Sequence, residues 1–313
     1  MAWGSGVMSR VPGPKLSVTV ITYNQANYIG FCLDSILSQV VDFQYEIIIG
    51  DDASTDGTLE IIKEYCERHS NIYLINHERN IGLNLNYLSV LKACNGEYIA
   101  HIDGDDMMLP GKLKKQVDVL DVKSDIAIVH HPVLFIDMNN NEVGRSNCGY
   151  KTVETINDLC VENKINNCSN MYRASAMDDT FYNIPPDLVF HDWYFHLLKA
   201  QYGDIYYINE YLGSYRKYPE SVINSSRRQR VLKSEIYTLE KARNLMNVSA
   251  RCVFIGYSKV YLRQVRHYLR NKQLHKAGYF LRKVRSSYPY SYSFVRYSIK
   301  WCVYNLMRKY CCR

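Results

Sequence analysis

Three aspartates stand within four positions in "HIDGDDMML" (101–109), at the end of an apolar run. Asp103 and Asp105, parted by Gly104, supply the hard oxygen ligands that Mg²⁺ or Mn²⁺ favours, with coordination positions left for water and phosphate. Gly104 leaves room for a tight backbone and the close approach of a diphosphate. A solvated turn after a strand would use the same residues, and Asp106 fits that lesser role, as support for the turn ahead of Pro110. Two other acidic chemistries fail on spacing. A calcium loop starting at Asp103 calls for Asp or Asn at 107, Gly at 108 and Glu at 114, where Met107, Met108 and Lys114 stand. A dehalogenase-type phosphotransferase follows its Asp-x-Asp with a small hydroxyl residue, and Met107 takes that place.

"DDASTDGT" (51–58) reads in two ways. As a turn and helix cap, its Asp, Ser and Thr satisfy free backbone amides. As a binding loop, Asp51 and Asp52 accept hydrogen bonds from a nucleobase edge or a ribose. "TYN" (Thr22, Tyr23, Asn24) says little alone. Asp192 in "HDW" reads as a first-turn acid that favours the helix dipole. Arg216 reads as a solvated or salt-bridged residue at a strand end. His130 and His131 lie in an apolar run and read as satisfied structural histidines.

The elements that must position these residues alternate between β-rich and helical patterns over 16–137, the signature of βαβ units around a mainly parallel sheet. "LSVTVITYN", "YEIIIGDD", "IYLINH", "EYIAHID" and "IAIVHHPVLFID" read as strands, the last as one unbroken strand. Helices are expected over 27–39, 58–69, 85–93 and from 111. Such sheets bind ligands beyond the carboxyl ends of their strands, so "TYN", "DDASTDGT" and "DGDD" should converge there. Residues 150–213 are less regular, with a helix at "HDWYFHLLKAQ" and one or two strands in "DIYYINEYLGSYRKY". From about Arg227 the pattern is helical.

The chain has 313 residues, 47% apolar, with 28 tyrosines and a net charge of +7. That charge is unevenly spread. Residues 214–313 hold 23 Lys and Arg against three acids, which leaves 15 basic and 28 acidic side chains before them. The acidic part suits metal binding and the basic part suits an anionic surface. Phe294, Tyr297, Trp301 and Tyr304, interleaved with Arg296, Lys300, Arg308 and Lys309, favour peripheral contact with anionic lipid; packing on the body or an oligomer contact is the alternative. Nucleic acid is set aside, because no reading motif accompanies the charge. Ten scattered cysteines without a CxxC pair point to reduced thiols. The first 15 residues lack an apolar core segment and read as a disordered leader or cloning remnant. No run approaches the roughly 18–20 apolar residues of a membrane span, so the expected location is cytoplasmic, peripheral at the membrane face.

"VTVITYN", "IIIGDDASTDGT", "NGEYIAHIDGDDMMLP", "HDWYFHLL" and "YRKYPESV" follow one another as in family-2 glycosyltransferases of the GT-A type, which the chain resembles over about 16–223. The resemblance implies an α/β, Rossmann-like catalytic domain, with a nucleotide-binding half at 16–137, an acceptor-binding half at 138–223 and a basic helical appendage at 224–313. It implies an inverting transferase that moves a sugar from a nucleotide-diphospho-sugar, usually UDP-linked, to a glycan or lipid-linked acceptor in surface polysaccharide assembly. A divalent cation, Mn²⁺ or Mg²⁺, would be its cofactor. Thr22, Tyr23, Asn24, Asp51 and Asp52 then fall on the nucleoside side, Asp103 on the ribose or metal side, Asp105 on the metal, Arg216 on the diphosphate or acceptor, and Asp192 on the general base. Three residues depart from the pattern: Ala53 where Gly is common, His191 where an acid is frequent, and Tyr218 where "YRxH" forms carry His, so that a phosphate or metal contact expected there is lost or replaced. A nucleotidyltransferase would show a Gly/Arg/Lys-rich loop after the first strand, where "TYNQANY" stands. A non-catalytic nucleotide-sugar binding module would not need every carboxylate retained.

Overall fold

The computed structural model describes residues 13–178, 192–218 and 225–286. The leader before residue 13, His191, the end of "YRKYPESV" and the aromatic and basic residues of 294–309 lie outside them. By chain contacts the described residues form two units: 13–152, 166–178 and 206–218, and then 153–165, 192–205 and 225–286.

The first unit is built on β1 (Leu16–Thr22), β2 (Tyr45–Asp51), β3 (Ile72–Asn76) and β4 (Tyr98–Asp103), with α1 (Ile29–Leu37), α2 (Thr58–Arg68) and α3 (Leu83–Lys92) as the connections. β1 is buried along its whole length and β2 along nearly all of it, as befits strands covered on both faces. The four strands lie parallel in the order β3-β2-β1-β4. Their register does the positioning: Thr22 lies opposite Asp51, and Ile21 opposite Asp103. Three polar segments far apart in sequence thus leave the sheet side by side.

β5 (Met107–Met108) and α4 (Lys112–Val122) follow, then β6 (Ile126–His130) and β7 (Val133–Ile136). "IAIVHHPVLFID" is therefore two strands, not the single one expected. Pro132 has no N–H to give to a ladder, and the chain changes sheets there. β6 belongs to the large sheet, whereas β7 joins a small one ordered β5-β12-β7-β8, with β8 at Glu142–Arg145 and β12 at Gly213–Arg216. β10 (Met171–Arg173) enters antiparallel between β4 and β6.

The second unit contains β9 (Val153–Glu154), α5 (Ile156–Val161), α6 (Asp192–Lys199), α7 (Ser225–Leu245), α8 (Ala250–Arg270) and α9 (Leu274–Ser286). β11 (Asp204–Tyr207) runs from this unit into the first. Thr155 and Asp158 close a reciprocal cap at the start of α5. Tyr261 and Leu262 of α8 pack with Val284 of α9. Gly256 brings α8 against α5, where a Cβ would lie 2.7 Å from the Cys160 carbonyl oxygen. The seven cysteines among the described residues are all free thiols.

Candidate active site

At the end of β4 the backbone turns sharply against β1. Gly104 N donates to Ile21 O at 2.9 Å and Asp106 N to Asp103 O at 3.0 Å. A side chain at 104 would meet Gln25 Oε1 at 2.6 Å and both Ile29 Cδ1 and Thr22 Cβ at 3.0 Å, so those neighbours would have to shift to admit one. The three carboxylates then diverge. Asp103 Oδ1 lies 3.3 Å from His101 Nε2, and the other nitrogen of that buried ring lies 3.0 Å from Thr19 Oγ1. Asp105 Oδ2 accepts from the Tyr218 hydroxyl at 2.7 Å. Asp106 is buried and accepts from Arg216 N at 2.8 Å, in keeping with a supporting role for the turn.

Charge accumulates at this turn. Burial, and then the charge of Asp103, pushes the Asp105 carboxyl up, while the Tyr218 hydroxyl pulls it back. Burial, Asp105 and Asp103 push Asp106 well above the carboxylate range. Thr22 Oγ1 and Gln25 Oε1, both buried beside Gly104, have no hydrogen-bond partner among the described residues. Crowded carboxylates and unmatched oxygens fit a cation. Among the described residues no three His, Cys, Asp or Glu side chains form a metal cluster. Asp103 and Asp105 would be the residues to hold such an ion, a pair of the kind that leaves Mg²⁺ or Mn²⁺ positions for water and phosphate oxygens.

The loops after β1 and β2 are laced together. Asn24 N donates to Ser54 Oγ at 2.9 Å, Thr55 N to Asn24 Oδ1 at 2.8 Å, and Gln25 N to Thr58 Oγ1 at 2.8 Å. The structure places the Asp51 and Asp52 carboxylates on protein donors. Asp51 accepts from the amide and hydroxyl of Ser54, and Asp52 from Ile81 N and Gly82 N. Tyr23 is exposed at the mouth of this loop pair.

Arg216, expected on a diphosphate or an acceptor, is instead 2% exposed and occupied by the protein. Its guanidinium donates to Asp105 O at 2.8 Å, to Asp137 O and to Asn140 Oδ1 at 2.7 Å, and stacks 4.2 Å from the Tyr28 ring. Antiparallel pairing of β12 with β5 brings it to the carboxylate turn. Asp192 opens α6 in the second unit, and its charge acts on the buried Lys199, whose amine burial depresses well below its ordinary value. Trp193 Nε1 donates to Leu159 O at 2.8 Å.

His101 and Tyr28 were not among the residues singled out. His101 lies two residues before Asp103 and so on the same face of β4, a period-2 signal that was legible. Tyr28 had none, because it meets Arg216 only through the fold.

The family model described as glycosyl transferase family 2 matches residues 17–181. An uncharacterised Mycobacterium bovis protein, Mb1547, is 35% identical over 218 residues, 67% of this chain and 61% of its own. The chain thus spans about three fifths of that relative. The Bacillus subtilis putative glycosyltransferase EpsE is 40% identical over 126 residues, 40% of this chain and 45% of that protein. Residues 1–349 of Staphylococcus aureus TarS, solved with UDP-GlcNAc, superpose with a TM-score of 0.60 at 19% identity, covering 88% of this chain and 93% of that one. The mannosyltransferase PcManGT of Pyrobaculum calidifontis, solved with GDP-Man and Mn²⁺, gives 0.58 at 19% identity, covering 95% and 83%. At those identities the likeness shows the GT-A fold alone. With the carboxylate turn where the sheet directs it and the family model spanning more than half of its length, the chain belongs to glycosyl transferase family 2.

Proposed function

We propose that the protein is an inverting glycosyltransferase that moves a sugar from a nucleotide-diphospho-sugar to a glycan or lipid-linked acceptor in surface polysaccharide assembly. The observation that carries this is the register of β1, β2 and β4, which aligns Thr22, Asp51 and Asp103 at one sheet edge and sets Asp105 just beyond. In this reading Thr22, Tyr23 and Asn24 line the nucleoside side, and Asp51 and Asp52 hold the loops that do so. Asp103 faces the ribose or the metal, and Asp105 the metal. A bound Mn²⁺ or Mg²⁺ would neutralise charge on the departing diphosphate. Arg216 keeps the Asp105 turn in shape.

Asp192 is the proposed general base, on the strength of the "HDW" motif. An acceptor hydroxyl gives its proton to the Asp192 carboxylate as its oxygen bonds to the anomeric carbon, and the bond from that carbon to the diphosphate oxygen breaks. Such bases contribute about 10²–10⁴ in rate. UDP as the nucleotide is supported by the UDP-GlcNAc complex of TarS, although GDP-Man in PcManGT keeps guanosine in view. The chondroitin synthase of Escherichia coli, 31% identical over 137 residues, 44% of this chain and 19% of that enzyme, supports a polysaccharide acceptor. The basic helices of the second unit are proposed to hold the protein at an anionic membrane face.

Release of UDP or GDP from a panel of nucleotide sugars, with Mn²⁺ or Mg²⁺ and candidate glycan acceptors, tests the reading. Asp105→Ala should abolish metal-dependent turnover. Asp192→Asn should leave donor binding intact and lower transfer by about 10²-fold or more; transfer at the wild-type rate would remove Asp192 as the base.

A further inference from the structure

We propose that Tyr218 is a positioning residue for Asp105, fixing that carboxylate for the cation through its hydroxyl. The inference rests on the metal-assisted reading above and extends it to a residue that departs from the family's pattern. From the sequence, a tyrosine at this position implies that a phosphate or metal contact is lost or replaced. The geometry gives it a different one: the phenol reaches the Asp105 carboxylate at 2.7 Å.

Two observations support the assignment. Among the described residues the Tyr218 hydroxyl is the only side-chain group seen donating to the Asp105 carboxylate. The ring is also held. It meets Tyr28 edge-on at 6.4 Å, and Arg216 stacks on the same Tyr28 while donating to the backbone oxygen of Asp105. Arg216 thus holds the main chain of the turn and Tyr218 its side chain, both from the end of β12. Tyr218 is nonetheless 44% exposed, so it is not buried for packing alone.

A carboxylate pre-set by a neighbouring hydroxyl binds metal without first losing its own rotamer freedom, and loss of such a partner typically costs 10–100-fold in metal affinity. Tyr218→Phe removes the hydroxyl and keeps the ring. Mn²⁺ binding is measured by electron paramagnetic resonance on the intact protein, with UDP or GDP present, and turnover is measured against Mn²⁺ concentration. The variant should bind Mn²⁺ about 10-fold more weakly and need about 10-fold more for half-maximal rate, with kcat at saturating Mn²⁺ nearly unchanged. Nucleotide binding without metal should not move. Mn²⁺ affinity equal to wild type would overturn the proposal and leave the metal-assisted reading standing. If the wild-type protein binds nucleotide but takes up no Mn²⁺, that reading falls, and the role of Tyr218 with it.

Discussion

Ala53 shows how a single residue departs from a pattern at a physical cost. Its φ is 60°, in the left-handed region where a Cβ is crowded, and it follows Asp51 and Asp52, which are both tied to their loops. The strain is about 1–2 kcal/mol for a residue with a side chain, against about 0.4–1 kcal/mol of extra unfolded-state entropy for glycine. Ala53→Gly should therefore stabilise the protein by about 0.5–1 kcal/mol in urea denaturation; a loss of stability would show that the loop gains more from the methyl group than it loses in strain. The family resemblance implies that glycine is the commoner residue here. Only the backbone angle shows why. The same limit applied to Arg216, whose type suggested phosphate binding, whereas its burial and its bonds to Asp105 O, Asp137 O and Asn140 Oδ1 show a fastener.

Between elements, one buried pair joins α4 to both neighbouring segments. Lys112 donates to Gln116 Oε1 at 2.7 Å, and Gln116 Nε2 donates to Val129 O of β6 at 3.0 Å and to Ser169 O, before β10, at 2.9 Å. Burial lowers the Lys112 amine to about 7, with Cys168 acting weakly the other way. Above that value the folded protein releases a proton that the unfolded chain still holds, so stability rises with pH until the unfolded lysine titrates. From about pH 7 to about pH 8.5 the wild-type protein should gain about 1–2 kcal/mol from this group. Urea denaturation at both values should show the gain in wild type and its loss in Lys112→Met; an equal slope in both would assign the pH dependence elsewhere. The elements themselves were largely legible, because β1, β2 and β4 are short runs rich in β-branched and apolar residues that end in polar clusters. What pattern could not give was pairing across distance. Nothing in "MYR" says that β10 inserts antiparallel beside β4, nor in "GSYR" that β12 meets β5 at the carboxylate turn.

On the scale of the whole molecule, the contrast is between a first unit with carboxylates gathered at one turn and helices that carry almost only positive charge. α8 and α9 contain no acid, while Arg251, Arg266, Arg270, Lys276, Arg282, Lys283 and Arg285 are exposed. Leu274 and Tyr279 of α9 are exposed among them, an apolar and aromatic complement suited to the head-group region. No helix among the described residues is long and apolar enough to cross a membrane. Each basic residue close to an anionic leaflet contributes about 1 kcal/mol. Replacing Arg270, Lys276, Arg282 and Arg285 by Glu in the full chain should thus weaken binding to phosphatidylglycerol vesicles by about 10³-fold or more. Flotation with these vesicles and with phosphatidylcholine vesicles checks it. Wild type should float only with the anionic lipid, less as salt is raised, and the variant with neither. Equal flotation of both proteins would place membrane contact outside these helices, and failure of the wild type to float would leave their charge to packing or to contact between copies of the chain.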